Sequence, residues 1–235
     1  AEEAEVAYVF NQYHLISAPV VDRDDRLVGV ITIDDAMSVL DDEHEEDILR
    51  LAGVGDDSNI SDSVLQTVRQ RVPWLATNIV TALAAASVIA VFEGAIAQLV
   101  ALAVLMPIVA SMGGNAGTQT LTVAVRGLAT RDLSRANALR VVRREVCVGL
   151  TNGVIFGIIM AAITWAWFRD PGLAAVIGSA MVINLLVAAL AGILIPLGLN
   201  KLGADPALAS GTFVTMMTDV IGFLAFLGLA TLVLL

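Results

Sequence analysis

One carboxylate stands alone near the end of the chain: Asp219 is the only ionisable side chain in residues 208–235. At the centre of a membrane-spanning helix a carboxylate costs about 2.5–3.5 kcal/mol on insertion scales, less where it faces water or a partner. A residue kept at that cost points to binding of a cation or a proton. A second candidate is the acidic run Asp41-Asp42-Glu43-His44-Glu45-Glu46-Asp47, which ends at Arg50. Like charges at i,i+4 destabilise a helix by about a few tenths of a kcal/mol per pair. Divalent cations among them would remove that repulsion; the other reading is a solvated helix face. His14 and His44 read as ordinary polar residues. A third candidate is Pro107–Gln119, PIVASMGGNAGTQ. Its proline removes a helix hydrogen bond, and its paired glycines loosen the backbone at membrane depth. Freed carbonyls there must face protein or a water-filled cavity. Asn115 and Gln119, four apart, share a helix face, while the alternative for the glycines is a close helix contact.

These residues need membrane helices to hold them. The chain is 57% hydrophobic with a mean hydropathy of +0.83, too apolar for a soluble domain of 235 residues. Five apolar runs are each long enough to span hydrocarbon as a helix: 72–92, 94–119, 146–168, 173–199 and 208–235. Charge is divided as sharply as hydropathy. Residues 1–62 carry 17 acids and 3 arginines, whereas 63–235 carry 6 acids and 10 basic residues. An acidic face favours cations and argues against nucleic acid. Arg126, Arg131, Arg135, Arg140, Arg143 and Arg144 fall between spans two and three. Arg69 and Arg71 precede span one, and Lys201 lies between spans four and five. Only Arg169 lies on the other side, so the positive-inside rule puts the N-terminus in the cytoplasm and the C-terminus outside a cell membrane.

The first 40 residues carry their own pattern: a helix over 2–13, strands at 19–21 and 27–33, and a helix starting at Asp34, which can cap it. Ala18-Pro19-Val20-Val21-Asp22 and Gly29-Val30-Ile31-Thr32-Ile33-Asp34-Asp35 resemble the second half of a CBS domain, a small α/β module that works in pairs. The resemblance implies an adenosine nucleotide such as ATP near Thr32 and Asp35; the plain alternative for both is capping and packing. The first strand of the module is not present. The chain starts at Ala1 inside this partial unit, and is expected to be part of something longer. The expected organisation is thus mainly α: a partial α/β CBS unit over 1–40, an acidic linker and connecting helix over 41–71, and a five-helix transmembrane domain over 72–235.

The membrane part carries a more specific resemblance. Pro107 through Gln119, Arg126-Gly127-Leu128-Ala129-Thr130-Arg131-Asp132-Leu133, Arg144 through Leu150, Leu202-Gly203-Ala204-Asp205-Pro206-Ala207 and Phe213 through Gly222 together resemble the MgtE family of magnesium channels and transporters. Glu46-Asp47-Ile48-Leu49-Arg50-Leu51 is similar to that family's linker. The resemblance implies five transmembrane helices per subunit and a homodimer with the pore on its two-fold axis. It implies Mg2+ bound at Asp219, with backbone support from Thr215 and with Gly211 two turns before Asp219. Positions 211, 215 and 219 share one helix face. Gly113, Gly114 and Asn115 are expected to line the same pore. Asp41, Asp42, Glu45, Glu46 and Asp47 match the region where regulatory Mg2+ binds, and a connecting helix near the pore acts as a plug.

The chemistry points the same way. Mg2+ prefers oxygen ligands and sheds its waters reluctantly, so one or two carboxylates with water retained suit it. No cysteine or histidine in this region would select a softer metal. The alternative function is a proton-coupled secondary carrier of divalent cations. An anion permease would want basic groups inside the spans, and none is there. No nucleophile–base pair or phosphate loop suggests an enzyme. Cys147 is expected to be a buried structural thiol, Asn152 and Asn184 helix-packing polar groups, and Glu93 either an interfacial residue or a collector of cations. The implied partners are a second copy of the chain, membrane lipid and divalent cations.

Overall fold

Hydrocarbon leaves the backbone only its own partners, so the apolar runs form long helices. The computed structural model describes residues 3–54, 58–134 and 136–235, with the side chains of Ala4, Glu43, His44, Asp47, Leu208, Ala209 and Ser210 outside that description. The expectations for Asp47, His44 and Arg135 therefore lie outside the described residues or side chains. In chain order the elements are α1 (Glu3–Tyr13), β1 (Ser17–Val21), β2 (Leu27–Thr32), α2 (Ile33–Leu51), α3 (Val64–Val91), α4 (Glu93–Gln98), α5 (Ala101–Ala129), α6 (Ala138–Phe168), α7 (Pro171–Lys201) and α8 (Pro206–Leu234). Five of these helices are long and apolar enough to cross a membrane: α3, α5, α6, α7 and residues Gly211–Leu234 of α8.

The starts of α7 and α8 are written in the same way. Asp170 and Asp205 precede Pro171 and Pro206, which stand where a missing N–H costs nothing. Asp170 Oδ1 accepts from the N–H groups of Gly172 at 2.8 Å and Leu173 at 3.0 Å, and Asp205 Oδ1 from that of Ala207 at 2.8 Å. Each cap contributes about 1 kcal/mol.

Several span boundaries differ from those read in the sequence; the third spanning helix, for one, starts at Ala138 rather than Val146. The second span was expected from Gly94 to Gln119, but α5 runs from Ala101 to Ala129. Residues 93–98 form the separate short helix α4, ended by an extended Leu99 (φ −131°, ψ 84°). Hydropathy is continuous across this point, so it cannot reveal where the chain breaks to reverse direction between α3 and α5. The first helix starts at Val64, two turns before the apolar run, because a helix begun at the Ser63 cap continues unbroken into it.

α7 is the hub of the membrane part. It packs against α5, α6 and α8, and its core includes Leu173, Ile177, Met181, Leu185 and Ile193, each at most 2% exposed. Lipid gives no hydrophobic reason for helices to associate, so close backbone packing must do so. On α6, Gly149, Gly153 and Gly157 form a stripe at four-residue spacing against α7. A Cβ built on Gly153 would lie 2.9 Å from Val182 Cα, and one on Gly157 2.8 Å from the Gly178 carbonyl. Cys147 is exposed on α6, not buried as expected. The glycine stripe turns the other side of that helix toward α7.

The N-terminal unit folds as α1, an antiparallel β1–β2 pair with Ser17 opposite Thr32, and α2, around Ala7, Phe10 and Ala36. Asp34 was expected to cap α2, but Thr32 is the cap residue. The backbone N–H and the hydroxyl of Thr32 donate to Asp35 Oδ2 at 2.9 and 2.7 Å. These bonds, the hydroxyl's foremost, hold the Asp35 carboxyl below the usual aspartate range. α2 continues through residue 40 without a break, carrying the acidic run on its second half. The Arg131 guanidinium, in the link between α5 and α6, stacks 4.1 Å from the centre of the Tyr8 ring.

The α6–α7 stripe gives a direct check on the packing. Gly153→Val should cost about 1–3 kcal/mol through overpacking, read as a lower unfolding midpoint in detergent. Gly198→Val, on a part of α7 where an added Cβ meets nothing within 4 Å, should leave the midpoint unchanged.

Candidate cation site

Asp219 lies half-buried on α8 in a cleft of about 520 Å³. α8 supplies Gly211, Thr212, Thr215, Met216 and Asp219 to it. α5 supplies Thr118, Leu121 and Thr122, and α3 supplies Trp74, Leu75, Asn78, Thr81 and Ala82. The last residues of α2 and those just after it, Arg50 through Gly53, close the end nearest the N-terminal unit. Asp219 is the one carboxylate and Arg50 the one basic group among these lining residues.

Four hydroxyls of the cleft point their protons away from it, into their own helices. Thr118 donates to the Gly114 carbonyl at 2.9 Å, Thr122 to Thr118 at 2.9 Å, Thr81 to Asn78 at 3.0 Å, and Thr215 to Gly211 at 3.0 Å. A hydroxyl that has spent its proton in this way offers only lone pairs to the cavity. The lining therefore accepts hydrogen bonds, which suits the outward-pointing protons of water around a cation. The carbonyls of Gly211 and Thr215 are themselves engaged. Besides its own helix bond, the first accepts from the Thr215 hydroxyl, and the second from the Thr218 hydroxyl at 2.9 Å. Neither keeps a spare lone pair for a bare ion.

Arg50 does not place an uncompensated positive charge in this cleft. Its guanidinium reaches Asp205 Oδ2 at 2.7 Å and Glu46 Oε2 at 2.8 Å. Asp205 thus uses one oxygen to cap α8 and the other to hold the end of α2. A Cβ on Gly211 would lie 3.6 Å from the Leu51 carbonyl, so the end of α2 rests against the wall that carries Thr215 and Asp219.

Of the residues singled out in the sequence, Gly211, Thr215 and Asp219 come together on one wall of the cleft. Gly113 does not join them. It is buried, and a Cβ there would overlap the Asn184 amide of α7, so its role is a close helix contact rather than pore lining. α5 is turned so that Gly113 and Gly117 face α7 and α8 while Thr118 and Thr122 face the cleft. Gly114 precedes Thr118 and Thr122 at four-residue spacing on that outward face. Exposed Asn115 adjoins it, its Nδ2 3.4 Å from Ser111 Oγ. Both lie on the far-end continuation of the cleft's α5 wall, outside its lining. Asp41, Asp42 and Glu45 are exposed, and Glu46 is held by Arg50. No group of three or more acids, histidines or cysteines converges among the described residues. Thr32 and Asp35, the nucleotide candidates, are bonded to each other in the α2 cap.

Sequence reading missed Thr118, Thr122, Asn78 and Thr81. The signal available was polar residues at helical spacing, Thr118 with Thr122 and Asn78 with Thr81, inside apolar runs. It missed the Arg50–Asp205 pair altogether, since nothing local links residues 155 apart.

The pair can be tested alone. Arg50→Ala should free the end of α2 from α8, accelerating amide exchange at Leu49–Gly53 by about tenfold, while exchange in α7 stays unchanged. Unchanged exchange at the end of α2 would mean that the bridge does not hold it.

Comparison with known proteins follows the same division of the chain. A family model described as a divalent cation transporter, MgtE, matches residues 106–229, and a CBS domain model matches residues 4–42. Proteins named magnesium transporter MgtE are similar over nearly the whole chain. The one from Enterococcus faecalis is 38% identical over 231 residues, covering 98% of this chain and 51% of the relative. The one from Bacillus subtilis is 34% identical over 230 residues, covering 98% and 51%. The one from Thermus thermophilus is 36% identical over 239 residues, covering 99% and 52%. The chain spans about half the length of the curated relatives that it matches.

Proposed function

The chain belongs to the MgtE family of divalent cation transporters, and from that premise we propose that it conducts Mg2+ across a cell membrane through a site built on Asp219. The observation that carries this reading is the cleft itself: a single carboxylate, half-buried among apolar helices, facing a lining of hydroxyl lone pairs. A hydrated divalent cation answers every part of it. The carboxylate meets the ion's charge and the threonines accept from its waters. With the Gly211 and Thr215 carbonyls already engaged, nothing asks the ion to shed its shell, and Mg2+ is the common cation most reluctant to do so.

A single cleft has only one acid and is open on one side. In a homodimer with its two-fold axis along the open faces, two Asp219 carboxylates would share one ion. Two negative charges favour a divalent over a monovalent cation, and half-buried Gly114 with exposed Asn115 would continue the same passage. With the basic links of 126–144 in the cytoplasm, the N-terminal unit and the end of α2 lie on the cytoplasmic side.

The segment Arg50–Gly53 acts in this reading as the plug at the cytoplasmic end of the cleft, held by the Arg50–Asp205 bridge. Asp41, Asp42 and Glu45, exposed on the same helix, are free to bind regulatory Mg2+ in the cell. Bound ions would relieve their mutual repulsion and favour the seated position of α2.

Two experiments test these roles. Asp219→Asn keeps the shape and removes the charge. Mg2+ uptake into liposomes should fall by about two orders of magnitude or more, with the protein still assembled, because a charge held in a poorly hydrated site acts at several kcal/mol. Wild-type uptake in this variant would remove Asp219 from the pathway. Neutralising Asp41, Asp42 and Glu45 together, to Asn and Gln, should weaken inhibition of flux by internal Mg2+ without abolishing flux. An unchanged inhibition curve would take these acids out of the regulation.

A further inference from the structure

Asn184 is the one fully buried amide among the described residues of the membrane helices, and the cleft does not use it. It projects from α7 between α5 and α8. Its Nδ2 donates to the Val109 carbonyl of α5 at 2.8 Å, while its Oδ1 is buried with no partner. Glycines flank it on both sides. A Cβ on Gly222 of α8 would come 2.8 Å from Nδ2, and one on Gly113 of α5 would overlap the same atom. The amide therefore fills a notch that two glycines open for it, one in each helix that walls the Asp219 cleft.

The position of that notch relates it to the cation site. On α8, Val214, Thr218 and Gly222 form a packing stripe at four-residue spacing, beside the stripe of Gly211, Thr215 and Asp219. Val214 and Thr218 lie against Gly117 of α5, where an added Cβ would meet them at 2.5 and 3.6 Å. Gly222 is less than one helical turn beyond Asp219. The plane of the Asn184 amide thus sets how closely α8 approaches α5 beside the carboxylate. It also bears on how far α8 is turned about its own axis. A leucine has the same branching but is markedly bulkier, and in a notch this tight it would overpack both glycines, whereas the amide fits at the cost of one buried acceptor without a partner.

We propose that Asn184 is a positioning residue for the Asp219 site: as a wedge between Gly113 and Gly222, tied to the Val109 carbonyl, it fixes the separation of α5 and α8 and so the reach of Asp219 to the cation. This inference rests on the reading of Asp219 as the cation site and adds a determinant of affinity and selectivity outside the cleft.

The test is Mg2+ uptake into liposomes as a function of Mg2+ concentration, with and without competing Ca2+, at equal amounts of folded protein. The variants are Asn184→Leu, Asn184→Ala, Gly113→Ala, Gly113→Ala with Asn184→Ala, and Asp219→Ala. Asn184→Leu, which overfills the notch and loses the tie to the Val109 carbonyl, should raise the half-saturating Mg2+ concentration by about threefold or more, a size usual for coupling between contacting residues. It should also lower the preference for Mg2+ over Ca2+. Gly113→Ala should do the same by forcing α5 off the wedge, and adding Asn184→Ala should restore much of the loss by making room for the new methyl. A purely structural residue would change the midpoint and leave half-saturation and preference untouched. If Asn184→Leu does not fold, Gly113→Ala and its double variant read the same wedge. Wild-type half-saturation and preference in the folded variants, or a double variant no better than Gly113→Ala, would overturn the inference while inactive Asp219→Ala leaves the site reading standing. Wild-type uptake by Asp219→Ala would overturn both.

Discussion

An ionised carboxylate among apolar helices needs something in place of bulk water, and the membrane part of this protein is arranged around that need at Asp219. The half-buried side chain has no basic partner in its cleft: Arg50, the one base there, is committed to Asp205 and Glu46. Threonines on α3, α5 and α8, with Asn78, stand around it among apolar side chains. Because the protons of Thr81, Thr118, Thr122 and Thr215 are spent on carbonyls of their own helices, these four hydroxyls can only accept. A carboxylate in such surroundings is stabilised by a cation with its water, not by the protein alone.

Keeping such a cleft open in lipid requires rigid walls, since nothing apolar drives the helices together there. The rigidity comes from α7, which takes no part in the cleft but packs against α5, α6 and α8. Small residues do the joining: the Gly149–Gly153–Gly157 stripe brings α6 onto α7, and Gly117 and Gly192 bring α5 close to α7 and α8. With the packing faces of α5 and α8 committed, the adjacent faces of each are left outward, carrying Thr118 and Thr122 on one helix and Thr215 and Asp219 on the other. Packing and function thus share a helix but not a stripe.

That division explains what the sequence disclosed. Asp219 was legible because a lone charge in an apolar run needs no neighbour to be noticed, and five spans were legible because hydropathy sets length. The rotation of α5 was not. Gly113, Gly114 and Asn115 are consecutive, and only the contact with Asn184 decides that Gly113 turns inward while the next two stay outside. The break at Leu99 was equally hidden, since the residues on both sides of it are apolar. Local chemistry also left two candidates for the cap of α2, and the pairing of Thr32 with Asp35 selected Thr32 over Asp34. The Arg50–Asp205 bridge depends on how α2 returns to α8, which no local pattern encodes. Its two partners were visible only as the residue that ends the acidic run and as one member of the Leu202–Ala207 motif.

Where the ion sits decides whether Asp219 holds it. A structure of the protein in a membrane mimetic with Mg2+ present should contain one ion on the two-fold axis, between the Asp219 side chains of two copies, separated from both carboxylates by water. Carboxylate oxygens bound directly at about 2.0–2.1 Å would contradict the hydrated-ion chemistry of the cleft. An ion held elsewhere in the membrane part, with none at Asp219, would contradict the account as a whole.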